Sequence, residues 1–214
     1  GQAVWGIITS LQKIDRLDTT KSTSHAENFI KLLLTLSDDI RVILLRLGRQ
    51  LYEIRHLAGK DADKQKLICD ETALLYVPIA HRIGLYRIKT EMEDRVMHFA
   101  HPEIYLQIEL KIRETQKDRD QYAATFIRPI GQQLIENGFD CEIKSRIKSI
   151  PSIHKKMQAQ KVEFERVYDL FAIRIILKNN IENEKADCWK VYSLVTDIYT
   201  PNPRRLRDWM SFPK

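Results

Sequence analysis

The stretch Phe139-Asp-Cys-Glu-Ile-Lys-Ser-Arg-Ile-Lys148 alternates between apolar and charged residues, and it separates two different parts of the chain. The alternation predicts a half-buried strand with a charged outer face. The inner face is formed by Phe139, Cys141, Ile143 and Ile147, and the outer face by Asp140, Glu142, Lys144, Arg146 and Lys148. Because Arg146 and Lys148 are two residues apart on this strand, we expect their side chains to project from the same face.

The residues in front of this strand predict helices. Ser37-Asp38-Asp39 is a helix-capping signal, and the apolar residues that follow with helical spacing are Ile40, Ile43, Leu44, Leu47, Leu51 and Ile54. A second helical segment is predicted from about Asp63 to Phe99, as two helices or one kinked helix, because it contains Pro78 and Gly84. His101-Pro102 marks a break. Helix resumes from Glu103 to Asn137, where Pro129 is expected to start a new helix and Asn137-Gly138 to end it.

The residues behind the strand predict a mixture of helix and strand. Ile150 to Gln160 suits a short helix that carries Lys155 and Lys156. Asp169 to Leu177 is short, apolar and rich in β-branched residues, which is typical of a buried strand. The segment Glu184 to Tyr199 is predicted to be an amphipathic helix through Trp189, Tyr192, Val195 and Tyr199, and the tail Thr200 to Lys214 a loop. We therefore expect an α+β chain.

Composition limits the class of protein. The 214 residues are 43% hydrophobic and 30% charged, enough for a real core, and no stretch approaches the length of a membrane span. The first residues do not have the pattern of a signal peptide. Cys69, Cys141 and Cys188 are far apart, which is unlike a zinc site or a disulfide framework, so we interpret them as buried thiols of a cytoplasmic protein.

Positive charge is concentrated in the last third. The net charge is +6, and residues 139–214 contain 15 Lys and Arg against 10 Asp and Glu. A basic region attracts nucleotides or nucleic acid, although a solvated basic surface has the same composition. None of the six histidines has metal-site spacing, and the sequence contains neither a GxxxxGK[ST] loop nor a GxGxxG loop.

Three groups of residues are candidates for phosphate chemistry. Arg146 and Lys148 on the strand and Lys156 on the next helix can converge on a phosphate, although a charged strand face without function has the same spacing. Asp169, before an apolar strand, is a candidate Mg²⁺ ligand or a simple turn residue. A second basic cluster in the tail either binds phosphate as well or is a flexible basic loop. It comprises Arg204, Arg205, Arg207 and Lys214.

Several ordered motifs resemble RelA/SpoT-type alarmone enzymes. Arg146-Ile-Lys-Ser-Ile-Pro-Ser-Ile-His-Lys-Lys-Met157, Val167-Tyr-Asp-Leu-Phe-Ala-Ile-Arg-Ile-Ile176, Pro203-Arg-Arg-Leu-Arg-Asp208 and Phe212-Pro-Lys214 resemble the synthetase domain. Glu27-Asn-Phe, Asp39-Ile-Arg-Val-Ile-Leu and Ala80-His-Arg-Ile-Gly-Leu-Tyr resemble later helices of the HD-type hydrolase domain and the helices after it. The resemblance covers nearly the whole chain. It implies an all-helical HD-like part at 1–100, a linker and start of the synthetase domain at 101–138, and at 139–214 a nucleotidyltransferase-like synthetase module with a mixed sheet.

The resemblance also implies an activity. Such enzymes transfer pyrophosphate from ATP to the 3′-hydroxyl of GDP or GTP and so make (p)ppGpp in the stringent response. Arg146 matches a position against adenine, Lys148 and Lys156 match positions facing phosphates, and Ser152 matches a residue that lines the site. Asp169 matches the catalytic Mg²⁺-binding carboxylate. Basic positions near the nucleotide phosphates are matched by Arg205, Arg207 and Lys214.

The chain departs from the family pattern at the hydrolase helix. The family sequence is roughly K-L-A-D-R-L-H-N-M-R, whereas this chain has Arg46-Leu-Gly-Arg-Gln-Leu-Tyr-Glu-Ile-Arg55. Arg49 replaces the Asp that ligates Mn²⁺, and Glu53 replaces the Asn. Since a guanidinium repels a metal cation, the resemblance implies a degenerate hydrolase, as in synthetase-only members. The run Arg205-Leu-Arg-Asp208, however, resembles the basic form of bifunctional members, which leaves the choice between GDP and GTP open.

The family continues beyond the final Pro-Lys with an N-G-Y-x-S-L-H segment, whose Tyr stacks on guanine, and with a second acidic residue. We therefore expect this sequence to be a fragment that holds much of the ATP site and little of the acceptor site. Two other interpretations are a nucleotide-binding regulatory fragment without catalysis and an RNA-binding module that uses the basic tail. The second lacks an aromatic strand for base stacking. Expected partners are ATP and GDP or GTP, the ribosome only through C-terminal domains not in this sequence, and neither membrane nor DNA.

Overall fold

The structure, a computed structural model, describes residues 1–15, 39–167, 170–178 and 183–212. Its helices and strands in chain order are α1 (Gln2–Asp15), α2 (Ile40–Arg55), α3 (Ala62–Glu71), a π turn (Thr72–Tyr76), α4 (Val77–Arg82), α5 (Tyr86–Ala100), α6 (Pro102–Glu114), α7 (Gln116–Glu136), β1 (Cys141–Ile147), α8 (Ile150–Gln160), β2 (Phe171–Leu177) and α9 (Glu184–Ile198). The chain divides into two compact units. The first comprises Gly1–Glu109 with Ser149–Lys155, and the second Leu110–Lys148 with Lys156–Lys214.

Helix α2 begins where the capping signal predicts. The Asp39 side chain accepts a hydrogen bond of 2.9 Å from the backbone N of Arg41, which satisfies one of the free donors at the helix start. The predicted apolar face is partly wrong, because Ile40 and Leu44 are 53% and 44% exposed. Helix α2 packs against α5, α1, α3 and the π turn, and its buried residues are Val42, Ile43, Leu47, Gln50 and Ile54.

The helical segment after α2 is interrupted at one of the two expected places. Helix continues from α3 through the π turn into α4, so Pro78, the second residue of α4, does not break it. The break occurs at Gly84, whose φ of +77° is a left-handed conformation that favours glycine. Helix α5 then ends at Ala100 and α6 starts at Pro102, as the His101-Pro102 pair predicts.

In the second unit, the prediction that Pro129 starts a helix is wrong. Helix α7 runs from Gln116 to Glu136 with Pro129 inside it. Its core residues Ala123, Ile130 and Leu134 are buried on both sides of the proline, so packing compensates for the one lost backbone hydrogen bond. The helix boundary lies instead at Thr115, whose hydroxyl donates to the carbonyl of Lys111 at 2.8 Å and satisfies an acceptor at the end of α6.

The end of α7 confirms the Asn137-Gly138 prediction. Gly138 has a φ of +78°, and its N donates to the carbonyl of Ile135 at 3.0 Å. The N of Phe139 donates to the carbonyl of Leu134 at 3.0 Å. This pair of bonds is the Schellman arrangement, and the side chains of Leu134 and Phe139 are buried in the same cluster. The turn therefore directs the chain into β1 with Phe139 on the core side.

Strands β1 and β2 form an antiparallel pair with Cys141 opposite Leu177 and Ile147 opposite Phe171. No further strand occurs within the described ranges, so the mixed sheet stays a prediction. The core face packs against α7 and α9, which matches the predicted alternation, but Ile147 at its end is 40% exposed. β2 also alternates between half-buried and exposed residues. The prediction of a strand buried on both faces is therefore wrong, and β2 has an outer face of its own.

Helix α9 covers the core face of the pair with residues that overlap the predicted set. Val195 and Tyr199 pack against the core cluster as predicted, together with Val191, Leu194 and Ile198, whereas Trp189 is 38% exposed. Cys69 is buried, but Cys141 and Cys188 are only half-buried, so the prediction of three buried thiols holds for one of them. None of the helices in the described ranges combines the length and hydropathy that a membrane crossing requires.

Candidate functional site

The outer side of the β1–β2 pair carries three cations in one patch, which we call the basic face: Lys144, Arg146 and Arg174. The register places Lys144 directly opposite Arg174 and Arg146 opposite Ala172. Directly opposed residues of an antiparallel pair have Cβ atoms about 5 Å apart, and diagonal neighbours are about 7–8 Å apart. The three side chains are therefore within reach of one phosphate group. Ala172 leaves space beside Arg146.

The basic face is neutralised only in part by the residues around it. Lys144 forms one ion pair, with Glu142 at 3.0 Å, and both side chains are at least half exposed. Neither Arg146 nor Arg174 makes a side-chain hydrogen bond or ion pair with any residue of the described ranges. Like charges directly opposite each other destabilise a strand pair, so this arrangement has a cost that an anionic ligand would remove.

Lys148 and Lys156 belong to the same compact unit as the basic face. The backbone N of Lys148 donates to the carbonyl of Leu170 at 2.9 Å, which extends the ladder by one bond beyond β1 and fixes Lys148 at the end of the sheet. Lys156 lies in the second half of α8 and is half-buried. Its neighbour Lys155 is instead in the first unit, where it donates to Glu93 at 3.1 Å.

The remaining predicted residues lie in three places. Ser152 is in the first unit, and its hydroxyl is 2.8 Å from the hydroxyl of Ser149. Arg205 ends a 3-10 turn, Pro203–Arg205, and Arg207 is exposed just after it. Two of the predicted residues, Asp169 and Lys214, lie outside the described residues.

The tail is more ordered than a free loop over residues 200–212. The side chain of Asn202 accepts a hydrogen bond of 3.1 Å from the N of Arg204 and so caps the 3-10 turn. Asp208 accepts bonds from the N of Ser211 at 2.8 Å and of Met210 at 3.0 Å. The hydrogen bond from Ser211 holds the pKa of Asp208 below its usual range, so this carboxylate is ionised and turn-forming.

The donor set of the basic face suits phosphate more than metal. Glu142 is the only carboxylate on the outer side of β1, and it is paired with Lys144. In the part of the chain that the structure describes, no three His, Cys, Asp or Glu side chains group as metal ligands. Mg²⁺ takes one or two protein carboxylates and shares substrate phosphates. The Mg²⁺ site stays a prediction, because it relies on Asp169, which lies outside the described residues.

In the first unit, Arg49 and Glu53 line a cavity of about 440 Å³ between α2, α3 and the π turn. The other charged residues of its lining are Arg46, Lys60, Lys64 and Glu71. Lys60 donates to Glu53 at 2.8 Å and holds the pKa of this carboxyl below its usual range. The two positions that the sequence identifies as departures from a metal site are thus part of one positively charged cavity.

Sequence reasoning missed Arg174 and the cations around Arg49. Arg174 alternates with Ile173 and Ile175, which is the period-2 signal of a half-buried strand, but the apolar content of the segment concealed it. Lys60 and Lys64 have no such signal. They are brought to Arg49 by the packing of α2 against α3, which local patterns do not contain.

Comparison with known proteins places these features in one family. A sequence model described as HD domain matches residues 1–86, and one described as a region found in RelA / SpoT proteins matches residues 145–214. The first match contains the Arg49 cavity, and the second contains Arg146, Arg174 and the 3-10 turn of the tail.

Relatives match from end to end of the chain. A GTP pyrophosphokinase of Myxococcus xanthus is 31% identical over 218 residues, covering 100% of this chain and 28% of the relative. The bifunctional (p)ppGpp synthase/hydrolase SpoT of Escherichia coli is 31% identical over 215 residues, covering 100% and 30%. A probable guanosine-3′,5′-bis(diphosphate) 3′-pyrophosphohydrolase of Synechocystis is 31% identical over 216 residues, covering 100% and 28%. The chain spans less than a third of the length of these relatives. With both family regions in the family order and this identity along its whole length, the chain belongs to the RelA/SpoT family.

Proposed function

We propose that this chain provides the ATP side of a (p)ppGpp synthetase, which transfers pyrophosphate from ATP to the 3′-hydroxyl of GDP or GTP. The observation that carries the proposal is the basic face, where Arg146 and Arg174 lack any ionic partner in the described ranges. A face of this kind is electrostatically unfavourable by itself and favourable with a polyphosphate bound.

Each cation of the proposed ATP site has a role that depends on its position. Arg146 has a planar guanidinium that can lie against adenine, while Lys148 at the sheet edge and Lys156 on α8 supply point charges for the triphosphate. Lys144 and Arg174 add positive potential on the same side. In the reaction, the 3′-oxygen of the acceptor forms a bond to the β-phosphorus of ATP, the bond from that phosphorus to the α,β-bridging oxygen breaks, and AMP leaves with the electron pair.

Catalysis in such a site is positioning and charge stabilisation. We assign Asp169 to the Mg²⁺ that neutralises the polyphosphate when bound. The exposed Arg205 ends the capped turn of the tail and Arg207 follows it, and we assign both, with Lys214, to the phosphates of the nucleotides. Ser152 remains a proposed lining residue. The relatives are named as synthetases, hydrolases or both, so the direction of the reaction is part of this proposal.

We further propose that the hydrolase part is inactive. Arg49 occupies the position of the metal-binding Asp, and the cavity around it is lined by four cations and two carboxylates. This lining does not fit Mn²⁺, because its four guanidinium and ammonium groups repel a divalent cation and one of its two carboxylates, Glu53, is paired with Lys60. No hydrolytic step through this cavity is therefore assigned.

The test uses the chain extended through the family segment that follows Lys214, incubated with MgATP and GDP, with (p)ppGpp and AMP measured by ion-exchange chromatography. We expect product from the unchanged protein, at least a hundredfold loss with Asp169→Asn, and a loss of MgATP affinity with Arg146→Gln. Lys178→Gln is the matched control, since Lys178 lies beyond the far end of β2 and its ion pair is with Asp140.

Two outcomes would contradict the proposal in different ways. Tight MgATP binding without product would favour the non-catalytic regulatory module instead. MgATP binding equally affected by Lys178→Gln and Arg146→Gln would remove the basic face from the site. For the hydrolase part, release of pyrophosphate from ppGpp in the presence of Mn²⁺ by a protein that also includes the upstream hydrolase residues would show that Arg49 does not prevent hydrolysis.

A further inference from the structure

A cavity of about 500 Å³ lies within the second unit, where α6 meets α7. This volume is within the range of small-molecule pockets. The apolar wall of the cavity comprises Phe164 and Val167, which are buried, and Leu170 and Phe171, which are half-buried. Arg119 of α7 lines the same space, which we therefore call the Arg119 cavity. None of these residues is assigned to the synthetase reaction.

The guanidinium of Arg119 is only partly satisfied by the protein. Its Nη2 donates to the carbonyl of Ile112 at 2.7 Å, which satisfies one of the free acceptors at the end of α6. Its Nε and Nη1 are buried and donate to no atom of the described residues. Buried donors without a partner are destabilising, most of all on a charged group. An acceptor that entered from the cavity would remove this cost.

The junction of α6 and α7 fixes the position of this guanidinium. The hydroxyl of Thr115 donates to the carbonyl of Lys111 at 2.8 Å, and the backbone N of Arg119 donates to the carbonyl of Thr115 at 3.1 Å. The Nζ of Lys111 donates to Glu165 at 2.6 Å and lies 5.7 Å from the centroid of the Phe164 ring. Helix α6 is thereby connected to the 3-10 turn that carries the apolar wall, so the cavity is formed before any ligand binds.

The charges of the lining favour a ligand with a single negative charge. The hydrogen bond from Lys111 holds the pKa of Glu165 below its usual range, so both groups are ionised and neutralise each other. Glu114 also lines the cavity, but it is exposed to water. The buried guanidinium of Arg119 is then the charge that a ligand meets beside the apolar wall. A polyphosphate is disfavoured, because Glu114 and Glu165 would repel it.

We propose that the Arg119 cavity binds a small apolar carboxylate, either a plain aliphatic or aromatic acid or an apolar amino acid. The carboxylate accepts a charge-assisted hydrogen bond from an unpartnered N–H of Arg119, which is the geometry that guanidinium groups favour. The apolar part of the ligand packs against Phe164, Val167, Leu170 and Phe171. In an amino acid, the ammonium group would in addition face Glu114. The proposal does not depend on the synthetase site, because the two sites share no residue.

The experiment is an NMR titration of the isotope-labelled 214-residue chain with acetate, butanoate, hexanoate and octanoate, without nucleotide or metal. We expect the amide signals of Leu170 and Phe171 to shift. Affinity should rise about three- to fourfold for each added methylene, because each one buries apolar surface. Octanol, which lacks the charge, should bind about tenfold more weakly than octanoate. Tighter binding of 2-aminooctanoate than of octanoate would identify an amino acid as the ligand, and the reverse would identify a plain acid.

Two variants and a matched control test the role of Arg119. Arg119→Gln should weaken octanoate binding about tenfold, the usual effect of losing one charged hydrogen bond. Arg128→Gln is the control and should leave binding unchanged, because Arg128 is exposed on the same helix and does not line the cavity. Glu114→Gln removes a negative charge from the lining, so octanoate should bind severalfold more tightly. A gain of affinity cannot result from misfolding.

Three results would each overturn the proposal. The first is equal affinity for octanoate and octanol, which would show that no cation takes part in binding. The second is equal binding by Arg119→Gln and Arg128→Gln. The third is a set of shifted amide signals that excludes Leu170 and Phe171, which would place the ligand elsewhere on the chain.

Discussion

Replacing Arg174 by glutamine should stabilise the β1–β2 pair and weaken ATP binding at the same time. Arg174 lies directly opposite Lys144, and both are exposed. Two unit charges about 6 Å apart repel by about 0.7 kcal/mol in water, and cross-strand charge pairs are measured at about 0.2–1 kcal/mol. Part of this repulsion is offset by the ion pair of Lys144 with Glu142. We therefore expect a stabilisation of about 0.5 kcal/mol.

The same substitution removes one charged contact to the polyphosphate. A hydrogen bond to a charged group contributes about 1.5–3 kcal/mol, so MgATP affinity should fall about tenfold or more. The opposite signs of the two effects distinguish a ligand site from a solvated charged face, which would give the first effect without the second. Arg174→Lys is the conservative comparison, because it keeps the charge and should restore most of the affinity without the stabilisation.

Hydrogen exchange of the β1 and β2 amides measures the local stability of the sheet, which suits a chain of two units better than a global melting curve. Calorimetric titration with MgATP measures the affinity. Slower exchange together with weaker binding is the expected pair of results. Faster exchange in Arg174→Gln would show that the residue has a stabilising role, and unchanged affinity would exclude it from the nucleotide site.

Further predictions concern stability. Gly138→Ala should lower the free energy of unfolding, measured with urea, by about 1–2 kcal/mol, because the φ of Gly138 is +78°. Gly131→Ala should raise it by about 0.5–1 kcal/mol, because alanine favours the helix and its Cβ would lie in ordinary contact, 3.7 Å from a neighbouring side chain. Glu91 receives two bonds from Arg55, at 2.6 and 2.7 Å, which lower its pKa. The contribution of this ion pair to the free energy of unfolding is therefore present at neutral pH and lost as the pH falls through the pKa of Glu91 in the folded state. Glu91→Gln should lower the free energy of unfolding by up to about 1 kcal/mol at pH 7 and should match the unchanged protein in acid. Burial raises the pKa of Tyr105 to about 12. The contribution of the protonated Tyr105 hydroxyl to the free energy of unfolding is complete below the pKa of the unfolded state, near 10, and is lost between pH 10 and about 12. Tyr105→Phe should therefore lack this alkaline loss of stability.

Local signals in the sequence were sufficient where a few neighbouring residues determine the conformation. Asn137-Gly138 predicts the end of α7 because a left-handed residue is needed there and glycine adopts it at no steric cost. The bounds of α8 and the alternation of β1 follow in the same way from helical and strand periodicity. The phosphate site predicted from the motif Arg146 to Met157 stays a prediction. The structure places Arg146 on β1 and Lys148 just beyond its end.

Tertiary packing decided the features that were predicted wrongly. Pro129 removes one hydrogen bond, but the burial of Ile130 and Leu134 immediately after it keeps α7 continuous. Ile40 and Leu44 have the spacing of a core face and are nevertheless exposed, because α2 buries a different set, Val42, Ile43, Leu47, Gln50 and Ile54, among the elements that pack against it. Single-sequence periodicity gives the existence of an apolar stripe but not the direction of the partner that covers it.

The net charge of a segment likewise does not show which side chains converge in the fold. For this reason the basic face is easier to find from the sequence than the cavity around Arg49. Residues 139–214 carry five of the six excess positive charges, and the basic face lies among them. The first 138 residues are nearly neutral, yet α2, α3 and the segment between them assemble four cations around one cavity. A strand places alternate residues on one face by covalent geometry alone, so its charge pattern is visible in sequence. A site between helices depends on which turns meet, and there the local field is set by the side chains that converge, not by the net charge of the segment. A cavity lined by four cations in the helical unit is therefore compatible with its near-neutral composition.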